Sequence, residues 1–412
     1  MDIRPLPYID IQHDALSVFD DVEQGVVGSE DIWVSGYKAG SSSVHGRARV
    51  VPREGGGTEI RARDGVEIKR LSKTHFEVSI PALHLDRIPV KFPRAVIHPP
   101  YTKASKLSPP LQVNSIALSP NGSHLLVGGP DGYCGVIPVG PGANAQDMIQ
   151  FKGHVGDVLD VHWFPSGEVC LTTGSDLSIR IWGSKDGINP RTLTGHSRAV
   201  TSLYIVGVGK QILSGSKDGT VRLWEVGAST QLKRWNLDHI RPVEAVLVIE
   251  DDHGKAVLGA QEEERLVLVL TQVGMEIWNW STPSSGSPRQ SLEWQLGSNL
   301  VCGAYCPSLG ILVTGHTNGV IAVRRLETLD KPTLFRRNES PVYSLAFKDT
   351  ALYAGTAAGL PCRLEVSLKE GDQISLEVKE EFAGWEAVGV ESWTIGQDSM
   401  WCAGGEGGIR RY

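Results

Sequence analysis

The sequence predicts an all-β protein, a closed β-propeller of seven blades preceded by a small β-rich N-terminal domain. The main observation is an internal repeat: residues 153–182 and 195–224 align without gaps, which puts His154 and His196 42 residues apart. Within each unit, apolar and polar residues alternate over short stretches separated by turn sequences such as PSG and KDG. Repeats of this kind, each built from four short strands, are typical of propeller blades.

The repeat itself has a recognisable pattern. It begins with Gly-His, ends with Trp and recurs about every 40–45 residues, which is the pattern of WD40 repeats. The two strong copies end at Trp182 and Trp224. Fainter copies lie at 114–139, 242–263, 300–323, 341–364 and 385–412. With these, the sequence predicts a seven-bladed WD40 β-propeller.

The division of the chain follows from the repeats. Residues 1–92 do not fit the repeat but alternate in strand fashion, so we expect a β-rich N-terminal domain there and the propeller over 93–412. The seventh unit has room for three strands before Tyr412, and an unpaired edge would otherwise remain. We therefore expect residues at about 101–108 to supply the outer strand of the last blade.

The segment GSKDGTVRLW at 215–224 could belong either to a hydrolytic triad or to a structural network. Strand alternation brings Ser216, Asp218 and Trp224 toward His196 within one blade. A nucleophile needs an exposed oxygen and an oxyanion site, and a triad would not recur once per repeat. We therefore predict a structural network and no enzyme. Its members in the preceding blade are His154, Asp176 and Trp182, with Gly174 where the serine would stand.

Composition and charge narrow the functional classes. Six scattered cysteines match neither a disulfide framework nor a zinc-ligand pattern, and we expect no metal and no cofactor. Without a signal-peptide pattern or a membrane-length apolar run, a cytoplasmic and nuclear monomer that does not enter membranes is expected. The net charge of −7 makes nucleic acid an unexpected main partner. Residues 38–110, with fourteen basic and six acidic residues, leave that alternative open.

Several segments resemble one WD40 family in particular. They are GHVGDV (153–158), FPSGEVCL (164–171), LSGSKDGTVRLWEVG (213–227), PPYTKASKL (99–107) and the final GGIRRY (407–412). On these residues the chain resembles the proteasomal-ATPase-associated factors over about 92–412, and more weakly in the N-terminal region. The resemblance implies a non-catalytic chaperone that binds the C-terminal domain of one proteasomal ATPase subunit while the base of the 19S regulatory particle assembles.

The residues beside the network are the candidate partner contacts. Side chains three and five residues after the repeat histidine, and one residue before the turn aspartate, should point outward around the central channel. These are Asp157, Leu159 and Ser175 in blade 2, Ala199, Thr201 and Lys217 in blade 3, and, by weaker alignment, Glu244, Tyr343 and Glu386. The acidic members suggest a face for a basic patch, although rim charges can also serve solubility alone.

Two other classes of binding protein remain as alternatives. One is a generic WD40 scaffold or a substrate receptor of a cullin ubiquitin ligase, which usually carries Arg two residues after a Trp-Asp pair. Here Trp224 is followed by Glu225-Val226 and Trp182 by Gly183-Ser184, which counts against a receptor. The other is a nucleic-acid or chromatin adaptor that would use the basic stretch at 38–110, and its binding would weaken steeply with salt.

Overall fold

The N-terminal part of the chain forms a small sheet packed on one helix. The computed structural model describes residues 2–100, 112–140, 142–238, 241–369 and 373–412. The N-terminal elements are β1 (Ile3–Pro5), β2 (Tyr8–Ile11), α1 (Ala15–Glu23), β3 (Glu30–Tyr37), β4 (Val44–Pro52), β5 (Thr58–Arg63), β6 (Glu67–Arg70), β7 (His75–Ile80) and β8 (Leu85–Lys91). Helix α1 buries Ala15, Val18, Phe19 and Val22, the spacing of one helical face, against the sheet β2–β5.

The first four blades are regular four-stranded antiparallel sheets. Before them comes β9 (Ala95–Ile97). Blade 1 contains β10 (Ser115–Leu118), β11 (His124–Gly128), β12 (Cys134–Pro138) and β13 (Ile149–Gln150); blade 2 contains β14 (Val158–Trp163), β15 (Val169–Gly174), β16 (Ile179–Gly183) and β17 (Arg191–Leu193). Blade 3 contains β18 (Val200–Val206), β19 (Gln211–Ser216), β20 (Thr220–Glu225) and β21 (Thr230–Asn236); blade 4 contains β22 (Val243–Ile249), α2 (Asp252–Val257), β23 (Leu266–Thr271), β24 (Gly274–Asn279) and β25 (Gln290–Glu293).

The last three blades continue the pattern. Blade 5 contains β26 (Leu300–Cys306), β27 (Ile311–His316), β28 (Val320–Arg325) and β29 (Thr333–Arg336); blade 6 contains β30 (Val342–Lys348), β31 (Ala351–Thr356), β32 (Gly359–Lys369) and β33 (Gln373–Phe382). Blade 7 contains β34 (Val390–Ile395), β35 (Met400–Gly404) and β36 (Ile409–Arg411). Short 3₁₀ turns occur at Pro81–Leu83, Pro130–Gly132, Ala145–Asp147 and Leu326–Thr328.

The blades close into a ring, which confirms the predicted all-β propeller. The first strand of each blade packs against the first strand of the next, and β34 packs against β10. Two hydrogen bonds seal the junction between the last blade and the first: the Ile116 amide donates to Ser392 Oγ at 3.1 Å and the Leu118 amide to Thr394 Oγ1 at 2.8 Å. The first strands therefore line the centre of a rigid ring.

The outer strand of blade 7 differs in position from the prediction. It is β9, which pairs antiparallel with β36, Ile97 opposite Ile409 and Ala95 opposite Arg411. The predicted segment at 101–108 lies outside the described residues. The prediction was wrong because the chain pairs with β36 immediately after the N-terminal domain, about six residues earlier than counting back from the first repeat suggested.

Strands of the N-terminal region also pair with strands of the propeller. Strand β1 pairs in parallel with β29 as a fifth strand of blade 5, and β8 pairs in parallel with β33, so that β6–β8 extend blade 6. The N-terminal region has its own apolar core around Phe19 and Phe76, on which Ala383 of the propeller also packs. No helix among the described residues has the length and apolar character needed to cross a membrane.

Candidate interaction face and the networks behind it

A chain of hydrogen bonds runs through blade 3. His196 Nδ1 lies 2.9 Å from Asp218 Oδ2, and His196 Nε2 lies 2.7 Å from Ser214 Oγ. Trp224 Nε1 donates to the same Ser214 Oγ at 2.8 Å, and Thr220 Oγ1 donates to Asp218 Oδ1 at 2.6 Å. The network joins the second and third strands of the blade, and the turn between them, to the segment that enters the blade.

Blade 2 contains the same network with threonine as the hydroxyl residue. His154 Nδ1 lies 2.9 Å from Asp176 Oδ2, and Nε2 lies 2.7 Å from Thr172 Oγ1. Trp182 Nε1 donates to Thr172 Oγ1 at 2.8 Å, and Ser178 Oγ donates to Asp176 Oδ1 at 2.7 Å. The second blade therefore has a complete network, with its hydroxyl two residues before Gly174.

The predicted serine of the network, Ser216, is in a different place. Its hydroxyl donates to the Arg198 carbonyl at 3.0 Å and accepts from the Asp218 amide at 3.1 Å, so it closes the turn at the end of β19. Ser214 and Ser216 are both fully buried. The prediction chose the serine two residues before the turn Asp218. The Trp224 indole and the His196 imidazole instead contact Ser214, two residues earlier on the same face of β19.

The geometry also settles how this set of residues can act. Asp218, His196 and Ser214 are linked in the order of a hydrolytic triad, but Ser214 has no exposed surface and its oxygen already accepts the Trp224 N–H. A carbonyl substrate cannot approach such an oxygen. The network is therefore suited to holding the blade together.

The charges of the network follow from burial and hydrogen bonding. Burial opposes ionisation of Asp218, but hydrogen bonds from His196 and Thr220 outweigh it and hold its pKa well below the ordinary value. Burial also lowers the pKa of His196, although Asp218 attracts the protonated form. At neutral pH the pair is thus a neutral imidazole that donates to a carboxylate.

Blades 2 to 7 share a bulge near the start of their first strand, at the inner rim of the ring. In blades 2 to 7 the first strand has a register shift that leaves one residue unpaired near its start. The residues at this position are Leu159, Thr201, Glu244, Val301, Tyr343 and Glu391. We call this set the inner-rim ring; four of its members are predicted contacts.

The predicted contacts of blades 2 to 4 lie beside this ring. The Ser175 amide donates to the Asp157 carbonyl at 2.8 Å, and the Lys217 amide donates to the Ala199 carbonyl at 2.9 Å. Asp157, Ser175 and Lys217 are exposed, whereas Ala199 is half-buried. These two pairs occupy equivalent corners of neighbouring blades.

Contacts between blades connect the predicted residues further. Thr201 Oγ1 donates to the carbonyl of Val243 at 2.7 Å, across the junction of blades 3 and 4. Glu244 accepts a hydrogen bond from Gln272 Nε2 at 2.8 Å. Burial raises the pKa of Glu244, while Gln272 and the Lys217 charge oppose the rise. Lys217 and Glu244 therefore act on each other electrostatically.

Glu386 does not lie at the predicted position. It precedes the first residue of β34, Val390, by four residues, which is the register of His196 in blade 3. Its exposed carboxylate lies 3.4 Å from His13 Nε2 of the N-terminal domain. The alignment slipped because blade 7 lacks the Gly-His signal that fixed the register of blades 2 and 3.

The structure instead brings Glu391 to the inner-rim ring. A Cβ on Gly389 would lie 2.9 Å from the Tyr343 ring and 3.4 Å from Glu391 Oε1, so the two side chains flank this glycine. Burial raises the pKa of Glu391 to about 7. Aligning the Val or Leu that begins the first strand of blades 2 to 7, rather than the weak start of the repeat, would have found Glu391.

Metal and disulfide chemistry find no support in the parts of the chain that the structure describes. No three His, Cys, Asp or Glu side chains there are grouped as metal ligands, and the six cysteines are free thiols, five of them buried. Burial raises the pKa of the Cys134 and Cys362 thiols to about 12, which makes them poor nucleophiles.

Comparisons with known proteins identify the repeat. Residues 105–136, 146–183 and 187–225 match the family described as "WD domain, G-beta repeat". The chain is 44% identical over 93 residues to the 26S proteasome regulatory subunit RPN14 of Saccharomyces cerevisiae, a match that covers 23% of the chain and 22% of that protein. The chain therefore contains WD40 repeats, within a closed propeller.

More distant relatives match over longer stretches. The chain is 26% identical to pre-mRNA-processing factor 19 of Oryza sativa subsp. japonica over 205 residues, 48% of the chain and 36% of that protein. It is 25% identical to a guanine nucleotide-binding protein subunit beta of Arabidopsis thaliana over 215 residues, 50% of the chain and 57% of that protein. In each of these comparisons the chain spans less than two thirds of its relative.

Proposed function

We propose that this protein is a non-catalytic assembly chaperone that binds the C-terminal domain of a proteasomal ATPase subunit during assembly of the 19S regulatory particle base. The observation that carries the proposal is the 44% identity to a protein named as a 26S proteasome regulatory subunit. The strong repeats of the chain, at 153–182 and 195–224, belong to the blades that carry Asp157, Ser175, Ala199 and Lys217. We propose that the face around these residues and the inner-rim ring is the binding surface.

The physical support for this surface is a rigid frame that carries one acidic group, Glu391, without a partner within the described ranges. The buried networks of blades 2 and 3 fix the turns that contain Ser175 and Lys217. Binding at these turns therefore costs little conformational entropy. Glu391 has no hydrogen-bond or ion-pair partner among the described residues, and it is half-buried, which disfavours its charged form. A basic side chain of the partner would offset that cost and favour the charged form.

The experiment is a pull-down against the isolated C-terminal domain of each base ATPase. Wild-type protein should recover one subunit preferentially. The Asp157→Lys/Glu391→Gln double variant should weaken that recovery at least about tenfold, because it reverses one exposed charge and removes one that becomes desolvated. Raising salt should weaken the contribution of exposed Asp157 more than that of half-buried Glu391.

Glu386 provides a matched control. The Glu386→Lys variant reverses an equally exposed acid that lies beside the N-terminal domain rather than on the inner-rim ring. It should bind as the wild type does. Equal recovery of every ATPase, or equal binding by the double variant and the Glu386→Lys control, would refute the proposal.

A generic WD40 scaffold is the second candidate. The longer matches to pre-mRNA-processing factor 19 and to a G-protein beta subunit favour it, since they extend over about half of the chain. In that case the same face would recover a protein unrelated to the proteasomal ATPases, and the Asp157→Lys/Glu391→Gln variant would weaken that recovery instead.

A further inference from the structure

Blade 5 replaces the tryptophan of the structural network with an arginine. Arg324 stands in β28 where Trp224 stands in β20, and Thr314 stands in β27 where Ser214 stands in β19. Arg324 Nη1 donates to Thr314 Oγ1 at 2.8 Å, the same bond that Trp224 Nε1 makes with Ser214. A guanidinium therefore occupies the place of an indole.

This guanidinium is buried without a counter-ion. Arg324 is 2% exposed, and no carboxylate lies within ion-pair distance of it in the part of the chain that the structure describes. Its Nε has no hydrogen-bond partner there, and its Cζ lies 4.3 Å from the centre of the Trp294 ring. A buried charge is costly unless it is paired, and stacking on one aromatic ring offsets only part of that cost.

Burial lowers the pKa of Arg324 to about 10, so the side chain still carries its charge at neutral pH. Burial, together with the Arg324 charge, lowers the pKa of His316 to about 4. His316 Nε2 lies 3.0 Å from Thr314 Oγ1, and a neutral imidazole cannot compensate the guanidinium. Neither His316 nor Thr314 therefore supplies a negative charge to Arg324.

A pocket of about 570 Å³ opens directly onto Arg324. Its buried lining residues are Arg324, Leu329 and Leu334, and its exposed ones include Asp2, Gln295 and Asp330. The Arg324 guanidinium thus lies at the buried floor, with the carboxylates of Asp2 and Asp330 at the mouth; the Arg4 guanidinium also lines the pocket and donates to the Ile374 carbonyl at 3.1 Å. Glu293 also lines the mouth, but it is paired with Arg241 at 2.7 Å.

We propose that this pocket, formed by blades 4 and 5 and the N-terminal strand, binds a carboxylate ligand through Arg324. A guanidinium binds a carboxylate through parallel hydrogen bonds, and Arg324 Nε is a donor that has no partner among the described residues. The acidic mouth selects a ligand that carries a cationic group at its other end. The pocket volume fits a small molecule or one chain end, in the range usual for ligand sites.

The proposal does not depend on the proposed function. The pocket is lined by the outer strands of blades 4 and 5 and by Asp2 and Arg4, whereas the inner-rim ring lies on the first strands. A failed ATPase pull-down would not affect this proposal. A pocket that binds none of the probes would not affect the proposed function.

Three small probes separate the chemical elements of the pocket. We expect 6-aminohexanoate to bind with a dissociation constant on the order of 1 mM, hexanoate more weakly, and hexylamine not at all, as measured by chemical-shift changes at the Leu329 and Leu334 methyl groups. Inorganic phosphate serves as a separate anion control, and the acidic mouth should exclude it, since it has singly and doubly charged forms at neutral pH and no cationic group.

Two substitutions test the roles of the floor and the mouth. Arg324→Trp restores the residue that Trp224 provides in blade 3, so it should fold and lose binding of both carboxylates. Asp330→Asn should weaken 6-aminohexanoate several-fold and should not weaken hexanoate, because it removes only an acidic group at the mouth. Asp86→Asn, at an exposed acid of the N-terminal region, is the matched control and should change neither.

Clear results would overturn the proposal. It fails if 6-aminohexanoate and hexanoate cause no saturable shift at the pocket methyl groups, or if hexylamine binds as well as they do. It also fails if Arg324→Trp folds and still binds carboxylates with wild-type affinity. Should that variant not fold, Arg324→Lys serves in its place: it keeps the charge but loses the planar fork, and should weaken binding about tenfold.

Discussion

The buried ion pair between Arg337 and Glu381 gives the sharpest test of how the N-terminal segment is held. Arg337 Nη2 lies 2.8 Å from Glu381 Oε2 and Nη1 lies 3.2 Å from Oε1, while the side chains are 1% and 3% exposed. Both also bind the segment: Glu381 Oε1 accepts from the Ile9 amide at 3.2 Å, and Arg337 donates to the Pro7 carbonyl at 3.4 Å.

Glu381→Gln should lower the free energy of unfolding by about 3–5 kcal/mol, because it leaves a buried guanidinium without its counter-ion. Urea denaturation measures this loss. Hydrogen exchange at the Ile9 amide should quicken as well, because the neutral amide oxygen is a weaker acceptor than the carboxylate. Glu59→Gln, which breaks the exposed pair with Arg61, is the matched control and should cost less than about 1 kcal/mol.

A double variant separates the charge from the shape. Arg337→Met/Glu381→Leu removes both charges while keeping apolar volume, and it should recover most of the stability lost in Glu381→Gln. A single variant that costs no more than the Glu59→Gln control would refute the reasoning. So would a double variant that is less stable than the single one, because the cost would then come from lost packing and from the unpaired Ile9 amide and Pro7 carbonyl rather than from an unpaired charge.

Two further predictions concern stability. Ser214→Ala should lower the free energy of unfolding by about 2–3 kcal/mol, because it leaves the buried His196 and Trp224 nitrogens unpaired. Ser216→Ala should lower it by about 1 kcal/mol. Equal losses of the two variants in urea denaturation would contradict the assignment of Ser214 to the network. For His316, whose pKa falls from 6.5 to about 4 on folding, the unfolded chain binds the proton first, so its contribution is full above about pH 6.5 and is lost as the pH falls toward 4. His316→Gln should therefore remove roughly 2–4 kcal/mol of acid destabilisation relative to wild type across that window, and parallel pH profiles of the two proteins would contradict it.

The repeat could be found from the sequence because each blade repeats its own local chemistry. Gly-His, the turn Asp and the third-strand Trp stand at fixed spacings, and they belong to one sheet of consecutive strands. The network hydroxyl was misplaced by two residues because Ser214 and Ser216 point to the same side of β19. Alternation cannot distinguish them; the position of the indole across the sheet does.

The inner-rim ring was only partly predictable for a related reason. Leu159, Thr201, Glu244 and Tyr343 were identified from the repeat spacing, while Glu391 required the register of a strand whose entry segment has lost its histidine. The Arg324 pocket was hidden altogether. Its wall includes Asp2 and Arg4, which lie more than 300 residues before Arg324 along the chain. No pattern in the sequence of blade 5 predicts that contact.

The pairing of the outer strands explains why the N-terminal region has no simple boundary with the propeller. Strands β1 and β8 pair with the outer strands of blades 5 and 6, and β9 is itself the outer strand of blade 7, so three neighbouring blades each gain a strand from the first 97 residues. An uncovered strand edge offers unpaired backbone groups to other chains. Two of these pairings are parallel, and a parallel partner cannot come from a tight hairpin. The segment must therefore come from a distant part of the chain, and the Arg337–Glu381 pair that binds Pro7 and Ile9 fixes it between blades 5 and 6. Domain boundaries drawn from repeat spacing alone miss this exchange, because it is encoded in backbone pairing rather than in any repeated residue.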